Sequence, residues 1–432
     1  MAGNDWKMAS VSQICDIHIG GTPRREEPSY WGGSIKWASA KDVASCGSRY
    51  LQGTEETITQ KGLKESAAKL LGKDTIVITA RGTVGAMCML PEPMSFNQTC
   101  YGLIAKPQVD PEYLYYALNA TLKRILTLTY GTVFETITIK SFDKIEVPLP
   151  ALKIQRAIAH ILGSLDDKIE LNRKTNETLE AMARAIFKSW FIDFEPVRAK
   201  AEGRDPGLPK EIADLFPNSF EDSELGEIPR GWRVKALPEI IDINPLRSLR
   251  KGEEAPYVDM KNMPTQGHRP SAWILRPFGS GMKFMNGDTL LARITPCLEN
   301  GKTAFVDFLS EGQVGWGSTE YIVFRPKPPL PEYYGYLLAR DERLRDFAIG
   351  NMTGSSGRQR VPANCFSNFL ITAPPKEIAV TFGKLVSGLQ TAIKVKDEES
   401  TTLAAIRDAL LPKLISGEIR VPDSEKVLEE VI

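Results

Sequence analysis

Histidine is scarce in this chain, and cysteine is scattered. Its 432 residues include three histidines, His18, His160 and His268. None has a nucleophile near it at a recognisable spacing, so each reads as structural or solvated and no catalytic residue is assigned. The six cysteines (15, 46, 88, 100, 297 and 365) form no Cys-x-x-Cys pair. Neither a zinc site nor a disulfide framework is indicated, no metal ligand is assigned, and a reducing cytoplasm is the simple reading. No apolar run approaches the roughly 18–20 residues of a membrane span, and the start, Met1 to Trp6, is too polar for a signal peptide. No membrane partner is expected. Phosphate-binding and transferase motifs fail as well. Gly301-Lys302-Thr303 ends like a P-loop, but Pro296 stands where the turn needs glycine, and Gly315-x-Gly317-x-x-Glu320 lacks its third glycine. Asn244-Pro245-Leu246 departs from the Asn-Pro-Pro-Tyr that holds a target amine for methyl transfer, and no acidic cluster with a lysine marks a nuclease. The chain is expected to catalyse nothing by itself.

Excess charge is also missing, with 54 Lys/Arg against 54 Asp/Glu, but the balance is uneven along the chain. Residues 1–150 hold 16 basic and 15 acidic residues and residues 231–375 hold 18 and 14, a net of +1 and +4. Residues 191–230 hold 5 and 10, and residues 421–432 hold 1 and 4. Acidic connectors therefore mask mildly basic modules, which permits nucleic-acid binding without demanding it.

What the chain does have is an internal repeat. Trp6-Lys7-Met8 … Ile14-Cys15-Asp16-Ile17 matches Trp232-Arg233-Val234 … Ile240-Ile241-Asp242-Ile243 without a gap, at an offset of 232 − 6 = 226. Gly72-Lys73-Asp74-Thr75 answers Asn286-Gly287-Asp288-Thr289, Pro111-Glu112-Tyr113 answers Pro331-Glu332-Tyr333, and 142–191 runs gapless onto 366–415. The interior differs widely, as surface loops do. Gly20 to Arg25 and Tyr30 to Gly33 in the first module face Pro245-Leu246-Arg247 and Arg250-Lys251-Gly252 in the second. One fold reading two different targets fits this pattern, and an old duplication drifting without purpose is the alternative.

The length calls for two to four domains. Short β-rich runs such as 75–79 and 320–324 are bounded by Gly and Pro, and one helix is expected per module, near 111–126 and 331–347. From Ile154 to Trp190, apolar residues recur at spacings of four and three: Ile158, Leu162, Leu165, Ile169 and Leu179, with Asn172 and Asn176 in the same register. A heptad seam with a polar centre fixes register at some cost in stability. The second copy offers Phe382, Val386, Leu389, Ile393 and Leu403, and Pro412 with Gly417 is expected to stop its helix early. The two stripes are expected to pair antiparallel, the alternative being that each covers its own module. The fold class is thus α/β (α+β). Two pseudo-symmetric mixed modules, 1–150 and 231–375, are separated by two long helices, 151–192 and 376–420, forming an antiparallel coiled coil. An acidic wrapping linker occupies 193–230 and an acidic tail 421–432.

Several phrases carry a family resemblance: Tyr30-Trp31-Gly32-Gly33-Ser34-Ile35-Lys36-Trp37, Ala80-Arg81-Gly82-Thr83-Val84-Gly85, Pro148-Leu149-Pro150 … Ile154-Gln155-Arg156-Ala157-Ile158, Ser189-Trp190-Phe191-Ile192-Asp193-Phe194-Glu195-Pro196-Val197-Arg198, and Phe220-Glu221-Asp222-Ser223-Glu224-Leu225-Gly226-Glu227-Ile228-Pro229. Together they resemble the specificity (S) subunit of type I restriction–modification enzymes, over nearly the whole chain. The second module departs, lacking the Gly-Gly-Thr-Pro and Tyr-Trp-Gly-Gly phrases. The resemblance implies two target-recognition domains joined by two conserved helices, reading a split, asymmetric site in double-stranded DNA. It also implies two methylation (M) subunits and, for cleavage, two restriction (R) subunits as partners. AdoMet, ATP and Mg²⁺ belong to those partners, and none is bound by this chain. The rival class is a pseudo-symmetric scaffold that binds proteins.

Base readout needs bidentate donors, and phosphate anchoring needs Lys, Arg, Ser and Thr. The candidates in the first module are Arg24, Arg25, Lys36, Lys41, Arg81 and Thr132. In the second they are Arg293, expected to match Arg81, and Ser355, Arg358, Gln359 and Arg360 of a Gly-rich basic loop. Trp31 and Trp37 read as core packing. A pair of helices about 35 residues long spans roughly 50 Å, against about 34 Å for one DNA turn, so helix length is expected to act as a ruler between half-sites.

Overall fold

Two short strands, one from each end of the first module, close it. Lys7–Ser10 pairs antiparallel with Glu146–Leu149. The structure, a computed structural model, describes residues 6–128, 136–355 and 357–421. It divides into two units, Met1–Leu171 with Glu399–Ile432, and Asn172–Glu398.

In the first unit, four antiparallel strands lie in the order Cys15–Ile19, Cys100–Ala105, Ile76–Thr79, Met87–Met89. Ile76–Thr79 is buried throughout because it separates two cores. Ile76 and Ile78 pack with the helices, while Val77 packs on the other side with Phe96, Cys88 and Leu90, as the period of two requires. A second sheet places Trp31–Ala38 between Glu56–Ile58 and a parallel Ser95–Phe96. The helix Pro111–Leu128 buries Tyr113, Leu114, Ala117 and Leu118 along one stripe.

The second unit repeats this plan. Arg233–Ala236 pairs with Leu370–Ala373, and the four-stranded order is Ile241–Ile243, Tyr321–Pro326, Thr289–Ala292, Thr303–Phe305. Its second sheet runs Ile274–Pro277, Glu254–Val258, Gly315–Gly317, Met282–Phe284, again with one parallel pair, Glu254–Val258 beside Gly315–Gly317. The helix expected over 331–347 is two helices, Glu332–Ala339 and Glu342–Gly350, because the Asp341 side chain caps a new N-terminus at Arg343 N. The stretch 193–230 does more than wrap. It folds a helix, Glu195–Ala201, and a hairpin, Phe220–Ser223 with Gly226–Pro229, and gives Val197, Phe216 and Ile228 to this unit's core.

The structural repeat shifts the sequence alignment by one residue in the interior. Asp74 (φ 64°) and Gly287 (φ 86°) occupy the same left-handed turn, each donating its N–H to the next strand, at Leu90 O (2.8 Å) and Val306 O (2.7 Å). Asp288 thus corresponds to Thr75, although its identity suggested Asp74. The backbone demands a residue tolerant of positive φ, and the first copy meets it with the Asp of the shared Asp-Thr, the second with the glycine one position before it. A one-residue slip reverses which face a strand residue serves, and Leu290, not Leu291, takes the place of Val77.

The long helices are Leu152–Phe191 and Lys376–Ser416. Inside the first unit they pair antiparallel, with Asp166 against Arg407 (2.6 Å) and Lys168 against Glu399 (3.3 Å). Ile158, Leu162 and Leu165 are buried with Leu403, Leu410 and Leu414, and Ile169 packs partly buried on the same core. Inside the second unit the pairing is again antiparallel. Asn172 donates to Lys396 O (3.4 Å), and Asn176 donates to Ile393 O (3.3 Å) and to Asp397 Oδ1 (2.7 Å). Phe382, Val386 and Ile393 are buried there, Leu389 packs partly buried on the core, and Leu179 is half-buried. The distal helix is not cut short by Pro412. It runs 41 residues against 40 for the central one, with Pro412 inside it and Gly417 (φ 73°) at its end. Proline removes one backbone bond, and burial of the flanking Leu411, Leu414 and Ile415 holds the last turn in place.

Polar staples tie each module to its helices, and they differ. In the first unit buried Arg49 donates to Asp167 Oδ1 (2.7 Å), Glu112 Oε2 (3.2 Å) and the Tyr116 hydroxyl (3.2 Å). Gly163 leaves room for it, since a Cβ there would stand 2.5 Å from Arg49 Nη1. In the second unit Asp307 lies 3.3 Å from His268 Nε2 and 2.8 Å from Arg269 Nε. Asp397 lies 3.9 Å from the same His268 nitrogen. Burial pushes the Asp307 carboxyl up, but the nearby His268 and the hydrogen-bonded Arg269 outweigh it and hold it below the ordinary range. At Asp397 burial wins, and its carboxyl is raised.

Two outcomes follow. Gly163→Ala, which in an open helix interior stabilises by about 1 kcal/mol, should lower the melting temperature here by displacing Arg49. Asp307→Asn should destabilise at neutral pH by on the order of 3 kcal/mol. Because the folded carboxyl titrates below the unfolded one, this contribution is full above the ordinary aspartate range and lost as pH falls through the depressed value. The gap between the two proteins in denaturant melts should therefore close in acid. A gap independent of pH would show that Asp307 acts by shape alone.

Candidate functional site

The candidate cations of the first module gather on and around its second sheet. Arg25 lies with its guanidinium 4.1 Å from the Trp31 ring centre and 5.2 Å from that of Trp37. It makes a bidentate pair with Glu56, which holds the Glu56 carboxyl below its usual range. Lys41 pairs with Glu55, and Lys36 with Glu92 at 2.5 Å. These pairs are solvent-exposed, and exposed pairs contribute only about 0–1 kcal/mol. Each cation can therefore exchange its carboxylate for another anion at little cost. Arg24 and Arg81 are exposed, with no carboxylate within ion-pair distance among the described residues. Trp37 is buried, its indole N–H donating to Gly21 O (2.9 Å), and Trp31 is half-buried against it. Thr132 lies outside the described residues.

In the second module the basic loop is a hairpin closed by Thr353 and Arg360, whose backbones exchange two bonds of 2.9 Å. Gly354 (φ 122°) and Gly357 (φ 80°) permit its turn. The four side chains named there separate into different roles. Arg360 clamps Glu320 through Nε (2.9 Å to each oxygen) and Nη2 (2.8 Å). Gln359 is half-buried, its carbonyl accepting from Thr295 N (3.0 Å). Ser355 and Arg358 are exposed, and Arg358 has no carboxylate partner among the described residues. Arg358 is thus the cation the loop presents, with Arg360 shaping it.

Arg293 is not the counterpart of Arg81. Its N–H donates to Glu320 O and its carbonyl accepts from Val361 N, as Ala80 bonds Thr99 O and Ile137 N. Ile294 therefore stands where Arg81 does, and half-buried Arg293 has an Nε with no hydrogen-bond partner. The misplacement is a one-residue slip in the opposite sense to that at Asp288, drawn by the shared arginine identity. The sequence reading also passed over Arg49 and Arg276. Arg49 carries no local pattern, since its partners lie 63 to 118 residues away. Arg276 could have been flagged by the unbroken apolar Trp273-Ile274-Leu275 before it.

Among the described residues no group of three or more His, Cys, Asp or Glu stands close enough to hold a metal ion, and no helix is long and apolar enough to cross a membrane. Exposed cations on sheet edges and glycine turns, set on two related frames, suit an extended polyanion.

Comparison with known proteins agrees with this class. The family described as "Type I restriction modification DNA specificity domain" matches residues 3–181. The chain is 29% identical over 436 residues to the type I restriction enzyme MjaIX specificity subunit of Methanocaldococcus jannaschii, covering 97% of this chain and 94% of that one. It is 28% identical over 364 residues to the HindI specificity subunit of Haemophilus influenzae, covering 72% and 78%. The crystal structure of a type I restriction–modification S subunit from M. genitalium shares the fold, with a TM-score of 0.52 at 17% identity and 96% of each chain covered. Residues 3–181 thus match the type I specificity-domain family, and nearly the whole chain is similar to type I restriction enzyme specificity subunits.

Proposed function

We propose that this chain is the DNA sequence-recognition subunit of a type I restriction–modification complex. Each module reads one half of a bipartite, asymmetric site, and the helix pair sets the gap between the halves. The observation that carries this reading is the repeat itself: two modules of one strand order whose cation-bearing loops differ. A common frame keeps the approach to the duplex alike, while unlike loops ask for unlike bases, which makes the site asymmetric.

In this reading the exposed cations do two jobs. Arg24, Arg25, Lys36, Lys41 and Arg81 anchor phosphates or reach guanine in the first half-site. Arg358, with Gln359 beside it, reads the second. Arginine matches guanine O6 and N7, and glutamine matches adenine N6 and N7, by paired hydrogen bonds in the major groove. Methylation and cleavage fall to two M and two R subunits, which bind AdoMet, ATP and Mg²⁺, and this chain contributes sequence choice without catalysis. The protein-scaffold alternative has no observation in its favour.

Co-expression with the methylation subunit, followed by mapping of modified adenines, tests the function. Methylated adenines in two short, different half-sites at one fixed gap are expected, and an assembled complex with AdoMet that modifies nothing would sink the reading. In the same assay Arg358→Ala should relax base choice at the second half-site, with a discrimination loss of about 10-fold for one bidentate contact. A uniform fall over all sequences would instead mark a phosphate contact. Inserting one heptad into each long helix at matched positions lengthens the spacer by about 10 Å, and the gap should grow by about three base pairs. An unchanged gap in that variant contradicts the ruler.

A further inference from the structure

Residues 271–277 are seven consecutive exposed positions in the second module. They include Ile274–Pro277, the outermost strand of the second sheet, bonded on one side to Glu254–Val258. Trp273 is 38% exposed, Ile274 59% and Leu275 67%. Edge strands are normally blunted by charge or covered, so a bare apolar edge marks a contact surface. The edge is also held in place. Trp273 stacks on Phe308 with ring centres 4.2 Å apart, and Ile274 faces Tyr257 across the ladder. The Arg276 guanidinium lies 4.9 Å from the Tyr257 ring centre and 5.6 Å from that of Trp316.

Charge says what kind of partner fits. Residues 245–285 hold 7 Lys/Arg and 3 Asp/Glu, while the whole module, 231–375, holds 18 and 14. Outside this segment the counts are 18 − 7 = 11 and 14 − 3 = 11, so the module's entire net charge of +4 lies here. Arg247 is committed to Asp288 and Arg269 to Asp307. Arg250, Lys251, Lys261, Arg276 and Lys283 have no carboxylate within ion-pair distance among the described residues, and Arg250 and Lys251 lie beside the end of the same ribbon, where Gly252 N bonds Phe278 O. Apolar tips beside unpaired cations suit a surface that is anionic along its rims and apolar at defined points within. The DNA major groove is such a surface. It admits a two-stranded ribbon, it is flanked by phosphates, and thymine projects its 5-methyl group into it.

We propose that the Trp273–Arg276 edge enters the major groove of the second half-site, where Ile274 and Leu275 read a thymine 5-methyl group and Arg250 and Lys251 hold the flanking phosphates. This rests on the DNA-reading function and adds a base to it. It applies to one half-site only. The matching outer strand of the first module, Glu56–Ile58, presents a carboxylate tied to Arg25 and a fully buried Ile58.

The test uses the full chain assembled with its methylation subunit and a duplex bearing the mapped site. Each thymine of the second half-site is replaced in turn by deoxyuridine, which pairs identically and lacks the methyl. Wild-type complex should lose about fourfold in affinity at one position, the value of a single buried methyl, and nothing at thymines of the first half-site. The Ile274→Ala/Leu275→Ala variant should bind the thymine and deoxyuridine duplexes equally, with its melting temperature and assembly reporting its folding. If that variant fails to fold, the wild-type comparison still decides. Equal wild-type affinity for both duplexes, a second half-site made only of G·C pairs, or a variant that still discriminates overturns the inference. Loss of subunit assembly in the variant together with equal wild-type binding would assign the edge to a protein contact and also overturn it. Methylation at a fixed bipartite site in these cases leaves the DNA-reading function standing, so the two failures are told apart.

Discussion

Each long helix has to bury its apolar face in two different cores with one continuous backbone. The central helix gives Ile158, Leu162 and Leu165 to the core of the first unit and Ala183, Phe187 and Trp190 to that of the second. The distal helix gives Phe382 and Val386 to the second and Leu403, Leu410 and Leu414 to the first. A helix advances about 100° per residue, so a single inserted residue would turn one of these faces away from its core. Only changes close to whole heptads keep both. The register of the seam is therefore fixed by two independent packings, and this is the condition under which helix length can carry information.

The polar residues along the helices serve that register rather than raw stability. Asn172 and Asn176 spend their amides on the carbonyls of Lys396 and Ile393, and Asp166 meets Arg407. The staples to each module are unlike: Arg49 with Glu112 and Asp167 in one, and Tyr336 with Glu180 (2.9 Å) and the Asp307 pairs in the other. A buried charge set down beside the wrong partners costs several kcal/mol. Different staples therefore bind each module to its own stretch of helix, an effect that a repeat with identical contacts could not provide.

Much of the architecture was legible in the sequence because it rests on periodicity. The seam from Ile158 to Asn176 shows a 4–3 spacing, and the β-rich runs show Gly and Pro at their borders. Three features were not legible, for stated reasons. The interior alignment slipped by one, since identity at Asp288 and Thr289 competes with a backbone need for positive φ at Gly287. Pro412 read as a stop because local propensity ignores the burial of Leu411 and Leu414 around it. The residues of the basic hairpin looked equivalent in sequence, and only the Glu320 carboxylate, 40 residues from Arg360, separates a shaping arginine from a presented one.

The two modules also show how one frame accommodates two targets. The four-stranded sheets share strand order and register, because each central strand must serve a core on both faces and tolerates little change. The outer strands of the second sheets carry no such double duty. In the first module that strand has three residues and an acidic Glu56 bound by Arg25. In the second it has four, follows an apolar Trp273 and holds an unpaired Arg276 over aromatic rings. Divergence collects at the edge because only there can side chains change without disturbing a core. The edge is also the part of a sheet narrow enough to enter a groove, so the positions freest to vary are those best placed to meet a base.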